Sequence, residues 1–166
     1  MAKRLKVAVI MGSDSDLPTM NEAVKVLTEY GVSCEVKTLS AHRSPDDTAK
    51  FARSARGRGF SVIIAGAGGA AHLAGVVASH TTLPVIGVPM ETKELKGIDS
   101  LLSTVQMPSG VPVATVAIGK TGARNAAILA LQILGVADGS IAKKLDNLKR
   151  SLIENVRNKN RSCKSG

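Results

Sequence analysis

Residues 61–75 read SVIIAGAGGAAHLAG. The first part, 61–67, is almost continuously apolar, as a strand covered on both faces should be. Small residues follow at 66–71, and from His72 the pattern suits a helix running to about Ser79. A strand that feeds a helix through glycines is the repeating unit of a parallel α/β sheet. Working outward, the same kind of run recurs as LKVAVIM at 5–11, SCEVKTL at 33–39 and LPVIGVP at 83–89, with a fifth, VPVATVAI, at 111–118. Amphipathic stretches of helical length separate the first four. The pattern predicts a doubly wound α/β fold with a parallel sheet. The second run alternates polar and apolar residues and is expected nearer an edge.

Helix starts are marked by Asp16-Leu17-Pro18 and Ser44-Pro45-Asp46-Asp47, each with a capping side chain and a proline in the first turn. IDSLLSTV, 98–105, reads as a short helix, and Asn125 to Leu134 as a firm one stopped by Gly135. An appended helix over 139–158 carries Ile141, Leu145, Leu148, Leu152 and Val156 on one face. That stripe needs a covering surface, and a neighbouring subunit is one source. The expected organisation is a single catalytic domain, 1–158, and a basic tail, 159–166.

Composition excludes several classes. Aromatic residues make up 2%, so the core is aliphatic and stacking platforms for single-stranded nucleic acid are missing. The net charge of +9 is concentrated: eight Lys and Arg between Lys143 and Gly166 face only Asp146 and Glu154, placing +6 there. A basic terminal helix, not a nucleic-acid groove, is expected. The start, Met1 to Lys6 and the short run after it, lacks the pattern of a secretory signal. No stretch approaches the roughly 20 apolar residues of a membrane span. Cys34 and Cys163 share no metal-ligand spacing and read as free thiols. A cytoplasmic protein without nucleic-acid or membrane partners is expected.

Three loops fall at the carboxyl ends of the first three strands: GSDSD at 12–16, SAHRSP at 40–45 and GAGGAAHLAG at 66–75. In an open parallel sheet these ends share one edge, where ligands bind at the switch of strand order. The first loop enters a helix, so its free amides with Ser13 and Ser15 suit an anion. Asp16 is placed either to cap that helix or to accept from ribose hydroxyls. His42 beside Arg43 pairs an acid/base group with an anion clamp; the plainer alternatives are a helix-start histidine and a surface ion pair. His72 orients a ligand, gates the site or starts a helix, and His80 reads as structural. The glycines form neither a Walker loop nor a full dinucleotide fingerprint, since Ala71 stands at the third glycine's place. No histidine pair has metal-ligand spacing, and no G-x-S-x-G elbow is present. The residues alone point to a phosphate-recognising site with one acid/base histidine and neither metal nor cofactor. They do not reach a substrate.

MGSDSD, SAHRSP, AGAGGAAHL, PVIGVP, DSLLSTVQMPSGVPVATVAIG and GARNAAILALQIL, in this order, resemble the N5-carboxyaminoimidazole ribonucleotide mutase family of purine biosynthesis. The resemblance implies a flavodoxin-like three-layer αβα sandwich, and an isomerase that converts N5-carboxyaminoimidazole ribonucleotide to 4-carboxyaminoimidazole ribonucleotide without metal or cofactor, as a homo-octamer. It implies His42 as the catalytic histidine and Ser13, Asp16 and Arg43 as nucleotide ligands. Ser15, Ser40 and the segment Gly69, Ala70, Ala71, His72, Leu73 lie in the family's substrate loops. Ala74 departs from the proline many relatives carry there. It also implies a route in which carbon dioxide is released and recaptured inside the pocket. Two alternatives stand beside it: an aminoimidazole ribonucleotide carboxylase using free carbon dioxide, and a non-catalytic nucleotide-binding module.

Overall fold

The computed structural model describes residues 6–162. The readings that fall on Met1 to Leu5 and on Cys163 to Gly166 lie outside the described residues. Contacts divide the chain into two compact units, one reaching to Ala130 and one from Leu131 onward.

In the first unit, five parallel strands form one sheet in the order β2-β1-β3-β4-β5: β1 is Lys6–Met11, β2 Ser33–Thr38, β3 Phe60–Ala67, β4 Val85–Pro89 and β5 Ala114–Thr115. This is the flavodoxin-like order, with its switch point between β1 and β3. β1, β3 and β4 are buried nearly throughout, as their unbroken apolar runs require. The edge position expected for the second run is where β2 lies, and its charged Glu35 and Lys37 suit an edge that must not pair further.

Alternate residues of each strand serve opposite faces. Ala8, Ile10, Ile63, Ala65 and Val85 form one apolar layer with helices α2 (Pro45–Ala55) and α3 (Leu73–Ser79), through Phe51, Ala52, Leu73 and Val77. On the opposite face, α1 (Leu17–Glu29) buries Met20, Ala23, Val26 and Leu27. Met20 comes so near Gly66 that a Cβ added there would meet its sulfur at 2.5 Å. An ion pair at 3.2 Å between Glu22 of α1 and Arg124 joins α1 to the first part of α5 (Gly119–Gly135).

Two sequence boundaries move. The fifth run shrinks to Ala114–Thr115, paired with Ile86 and Gly87; Pro112 has no N–H to give to a ladder. Helix α5 begins at Gly119 instead of Asn125. Gly122 is there for closeness: a Cβ would stand 1.5 Å from the Ala117 carbonyl oxygen. Helix α4 (Ile98–Val105) falls where expected, but with inverted polarity. Ser100 and Thr104 are buried, whereas Ile98, Leu102 and Val105 are about half exposed.

The second unit is the end of α5 and helix α6, Gly139–Ser162, longer than the expected 139–158. No glycine or proline interrupts residues 158–162, and Lys159 and Arg161 suit the negative end of the helix dipole. Asp138 caps α6, accepting from the amides of Ser140 and Ile141 at 2.9 and 3.2 Å. Of the predicted stripe, Ile141 is buried while Leu152 and Val156 are exposed, as is Ile153. No helix among the described residues is long and apolar enough to cross a membrane.

Candidate active site

The three loops do converge. They line a cleft of about 460 Å³ at the carboxyl edge of the sheet, over the β1/β3 switch point. The first loop contributes Ser13, Ser15 and Asp16, the second Ser40, His42 and Arg43, and the third Ala70, His72 and Leu73. Gly69 and Ala71 do not line it. Gly69 (φ +67°) is needed for the turn of the third loop, and Ala71 is buried behind it. Gly12, Ala41, Ala67 and Gly68 complete the wall. They lack functional side chains, so no chemical signal marked them in the sequence.

The first loop departs from expectation in its detail. Ser13, not Asp16, caps the 3-10 turn Asp14–Asp16 that precedes α1, its Oγ accepting from Ser15 N at 3.3 Å and from Ser15 Oγ at 2.9 Å. Asp16 holds the N-cap position of α1 but makes no capping bond, which leaves its carboxyl for the cleft. Burial pushes that carboxyl above its usual range; a backbone hydrogen bond from Ser13 opposes the shift and nearby Asp14 adds to it. A carboxylate so placed gains from any donor a ligand brings. The amides are not all free. Asp14 Oδ1 accepts from Ser15 N at 3.0 Å and from Ser13 Oγ at 3.1 Å. An entering anion therefore competes with a carboxylate already seated on these donors.

In the second loop Ser44 precedes α2 without capping it. Its hydroxyl turns back instead, donating to Ser40 O and accepting from Ser40 N, both at 3.2 Å. That closes the SAHRSP turn on itself. Arg43 spans two loops: Nη2 donates to the Gly12 carbonyl at 3.0 Å, and Nε to Ser40 Oγ at 3.3 Å. The guanidinium carries five N–H donors, so this tether leaves donors for a ligand.

His42 Nε2 lies 2.8 Å from His72 Nδ1, the rings meeting edge to face with centroids 4.9 Å apart. One nitrogen donates and the other accepts, so the two imidazoles share one proton between the facing atoms. Strands stand about 4.8 Å apart, so loops two strands apart approach each other only across the end of β1. His80, by contrast, lies half-buried at the carboxyl end of α3, away from the cleft lining. Among the described residues, no three His, Cys, Asp or Glu side chains gather as metal ligands.

The third loop is held from α4. Buried Ser100 accepts from Gly69 N at 3.0 Å, and Ser103 Oγ lies 3.3 Å from Gly69 O. Neither serine stood out in the sequence, where DSLLST shows only as part of a short helix.

Fold and cleft together define a flavodoxin-like α/β protein with an imidazole pair, a guanidinium and a serine-rich turn at its switch point. A sequence model of the AIR carboxylase family matches residues 6–155, and the chain belongs to that family. It is 57% identical over 152 residues to the N5-carboxyaminoimidazole ribonucleotide mutase of Bacillus subtilis, covering 89% of this chain and 94% of that protein. Identity to the N5-carboxyaminoimidazole ribonucleotide mutase of Vibrio parahaemolyticus is 56% over 152 residues, covering 92% and 94%. The fold superposes on the crystal structure of Treponema denticola PurE with a TM-score of 0.85 at 25% identity, over 93% of this chain and 96% of that one.

Proposed function

We propose that the protein is an isomerase of purine biosynthesis that converts N5-carboxyaminoimidazole ribonucleotide to 4-carboxyaminoimidazole ribonucleotide. The observation that carries this reading is the paired His42 and His72 in the same cleft as Arg43 and the Ser13–Asp16 turn, in a chain more than half identical to mutases of that name.

The nucleotide phosphate takes the donors of Arg43, Ser13 and Ser15, displacing the Asp14 carboxylate. Asp16 accepts from the ribose hydroxyls, and Ser40 with Ala70, His72 and Leu73 borders the ring. His42 is the general acid and then the general base. As the nitrogen–carboxyl bond breaks, its electron pair stays on nitrogen and His42 delivers a proton there, leaving carbon dioxide. Ring carbon 4 attacks the carbon dioxide, and His42 removes the carbon 4 proton to restore aromaticity. The sequence is redox-neutral and consumes no net proton, so it calls for neither metal nor cofactor. His72 holds the ring of His42 and the proton between them. Small side chains such as Ala70 leave room for the released carbon dioxide beside the ring.

The chain functions as one catalytic domain, in the cytoplasm, as a homo-octamer, with the basic residues after 158 continuing helix α6 to Ser162. The outward apolar residues of α4 and the exposed Leu152, Ile153 and Val156 of α6 support assembly. The family's own description supports a neighbouring reading, direct carboxylation of aminoimidazole ribonucleotide, which is the second half of the same reaction. Supplying each substrate separately distinguishes them. Rearrangement of the carboxyamino nucleotide, with poor turnover of aminoimidazole ribonucleotide at low bicarbonate, is the expected result. Efficient carboxylation at low bicarbonate without rearrangement would overturn it.

A further inference from the structure

Helix α4 is built inside out for a surface helix: its inward face is hydroxylic and its outward face apolar. Hydroxyls facing a core are tolerated only when they have partners. Two of the three have local ones. Thr104 Oγ1 donates to Ser100 O at 2.7 Å, and Ser103 Oγ to Asp99 O at 2.7 Å, both one helical turn back. Ser100 is different. It is fully buried, and its Oγ accepts from the amide of Gly69, 31 residues away on the third loop of the cleft.

That amide is a sensitive point. Gly69 lies in the left-handed region (φ +67°), and beyond it the chain makes two tight bonds, Ala71 N to Gly69 O and His72 N to Ala70 O, each 2.8 Å. The amide that Ser100 holds belongs to the Gly68–Gly69 peptide; a turn there carries the next peptide, whose Gly69 carbonyl accepts from Ala71 N, and with it His72 and, through the 2.8 Å imidazole contact, His42. The following peptide is bounded as well, with Ser103 Oγ 3.3 Å from Gly69 O, and before the first a Cβ on Gly68 would press on Met90 at 3.2 Å. The anchor itself is fixed. Thr92 Oγ1 donates to Asp99 in the first turn of α4 and accepts from Gly97 N, at 2.8 and 3.0 Å.

We propose that Ser100 is a positioning residue for the carboxyl transfer: its buried hydroxyl sets the Gly69 peptide and so the placement of His72 against His42. This rests on the function proposed above. The test uses the full-length protein with Ser100→Ala, and with Thr104→Ala as the control on the same helix face. Steady-state rates, urea unfolding and the imidazole nitrogen NMR signals are measured for both. A misplacement of about 1 Å behind a site can cost about a hundredfold in rate. For Ser100→Ala the expected result is a ten- to hundredfold loss in kcat, a changed pH–rate profile and shifted His42 and His72 signals, with KM moving much less. Thr104→Ala should lower stability and leave rates and imidazole signals near those of the parent. Ser103→Ala, which leaves the Ser100 bond in place, should lose less than tenfold and covers the case in which Ser100→Ala does not fold. Unchanged kcat and imidazole signals in folded Ser100→Ala, or equal rate losses in Thr104→Ala, would overturn the proposal; so would a loss in Ser103→Ala as large as that expected of Ser100→Ala. Absence of isomerase activity in the parent would instead fail the underlying function.

Discussion

Replacing Arg43 by lysine isolates what the guanidinium does beyond its charge. Arginine reaches the Gly12 carbonyl and Ser40 Oγ at once, at 3.0 and 3.3 Å, and keeps further donors for the phosphate. Lysine keeps the charge but offers one compact ammonium that cannot hold both loops and also fork onto phosphate oxygens. Hydrogen bonds to charged groups contribute about 1.5–3 kcal/mol each when buried. The side chain is exposed in the single chain, which puts each lost bond near the low end. Losing one tether and one phosphate bond then costs about 3 kcal/mol, or roughly a hundred-and-fiftyfold in kcat/KM. Phosphate binding is remote from the nitrogen and carbon that exchange the carboxyl, so ground and transition states should lose equally. Initial rates against substrate concentration should therefore show the change in KM, with kcat altered by less than about threefold. A fall in kcat at unchanged KM would refute this placement of the phosphate, because it would put Arg43 in the chemistry.

Three further outcomes follow from other parts of the molecule. Gly122→Ala should cost about 3 kcal/mol or more, read as a lower urea midpoint, because the Cβ meets the backbone oxygen of Ala117 and no side chain can turn aside. The Glu35 carboxyl is held below its usual range by hydrogen bonds from Lys6, then from Arg58. A lowered folded value means stabilisation that is complete above the ordinary 4.5 and is lost as pH falls through the folded value. Glu35→Gln should flatten the acid-side decline of stability in urea titrations at a series of pH values, and an unchanged slope would count against it. Leu102→Asp and Leu152→Asp, each at an exposed apolar position, should reduce the mass seen by light scattering below that of an octamer. Monomer mass in the parent protein would remove the assembly from the proposal.

How much of this was legible in the chain depended on separation along it. Strands β1, β3 and β4 were plain because each is a continuous apolar run between turns. Strand β5 was not, because Pro112 breaks the pairing and only Ala114 and Thr115 join the ladder. The three loops of the cleft could be placed together because parallel topology sends every strand's carboxyl end to one edge. What could not be read was which groups touch. His42 and His72 meet only because β2 and β3 flank β1, and adjacency in sequence pointed to Arg43 as the partner of His42. Arg43 turns instead to Gly12. Ser100 was hidden for another reason. A buried serine on a helix leaves the same pattern as an exposed one, and α4 inverts the usual rule that apolar residues face inward.

The most direct test of carboxyl transfer by a single imidazole is the rate of isomerisation by His42→Asn, with binding of a substrate analogue measured alongside. Asparagine keeps a hydrogen-bonding side chain but cannot exchange a proton near neutral pH, and a positioned acid/base group contributes about 10²–10⁴ in rate. With His42 serving as acid and then base, a loss of about a thousandfold or more with analogue affinity retained is predicted. Parental turnover by His42→Asn would contradict it.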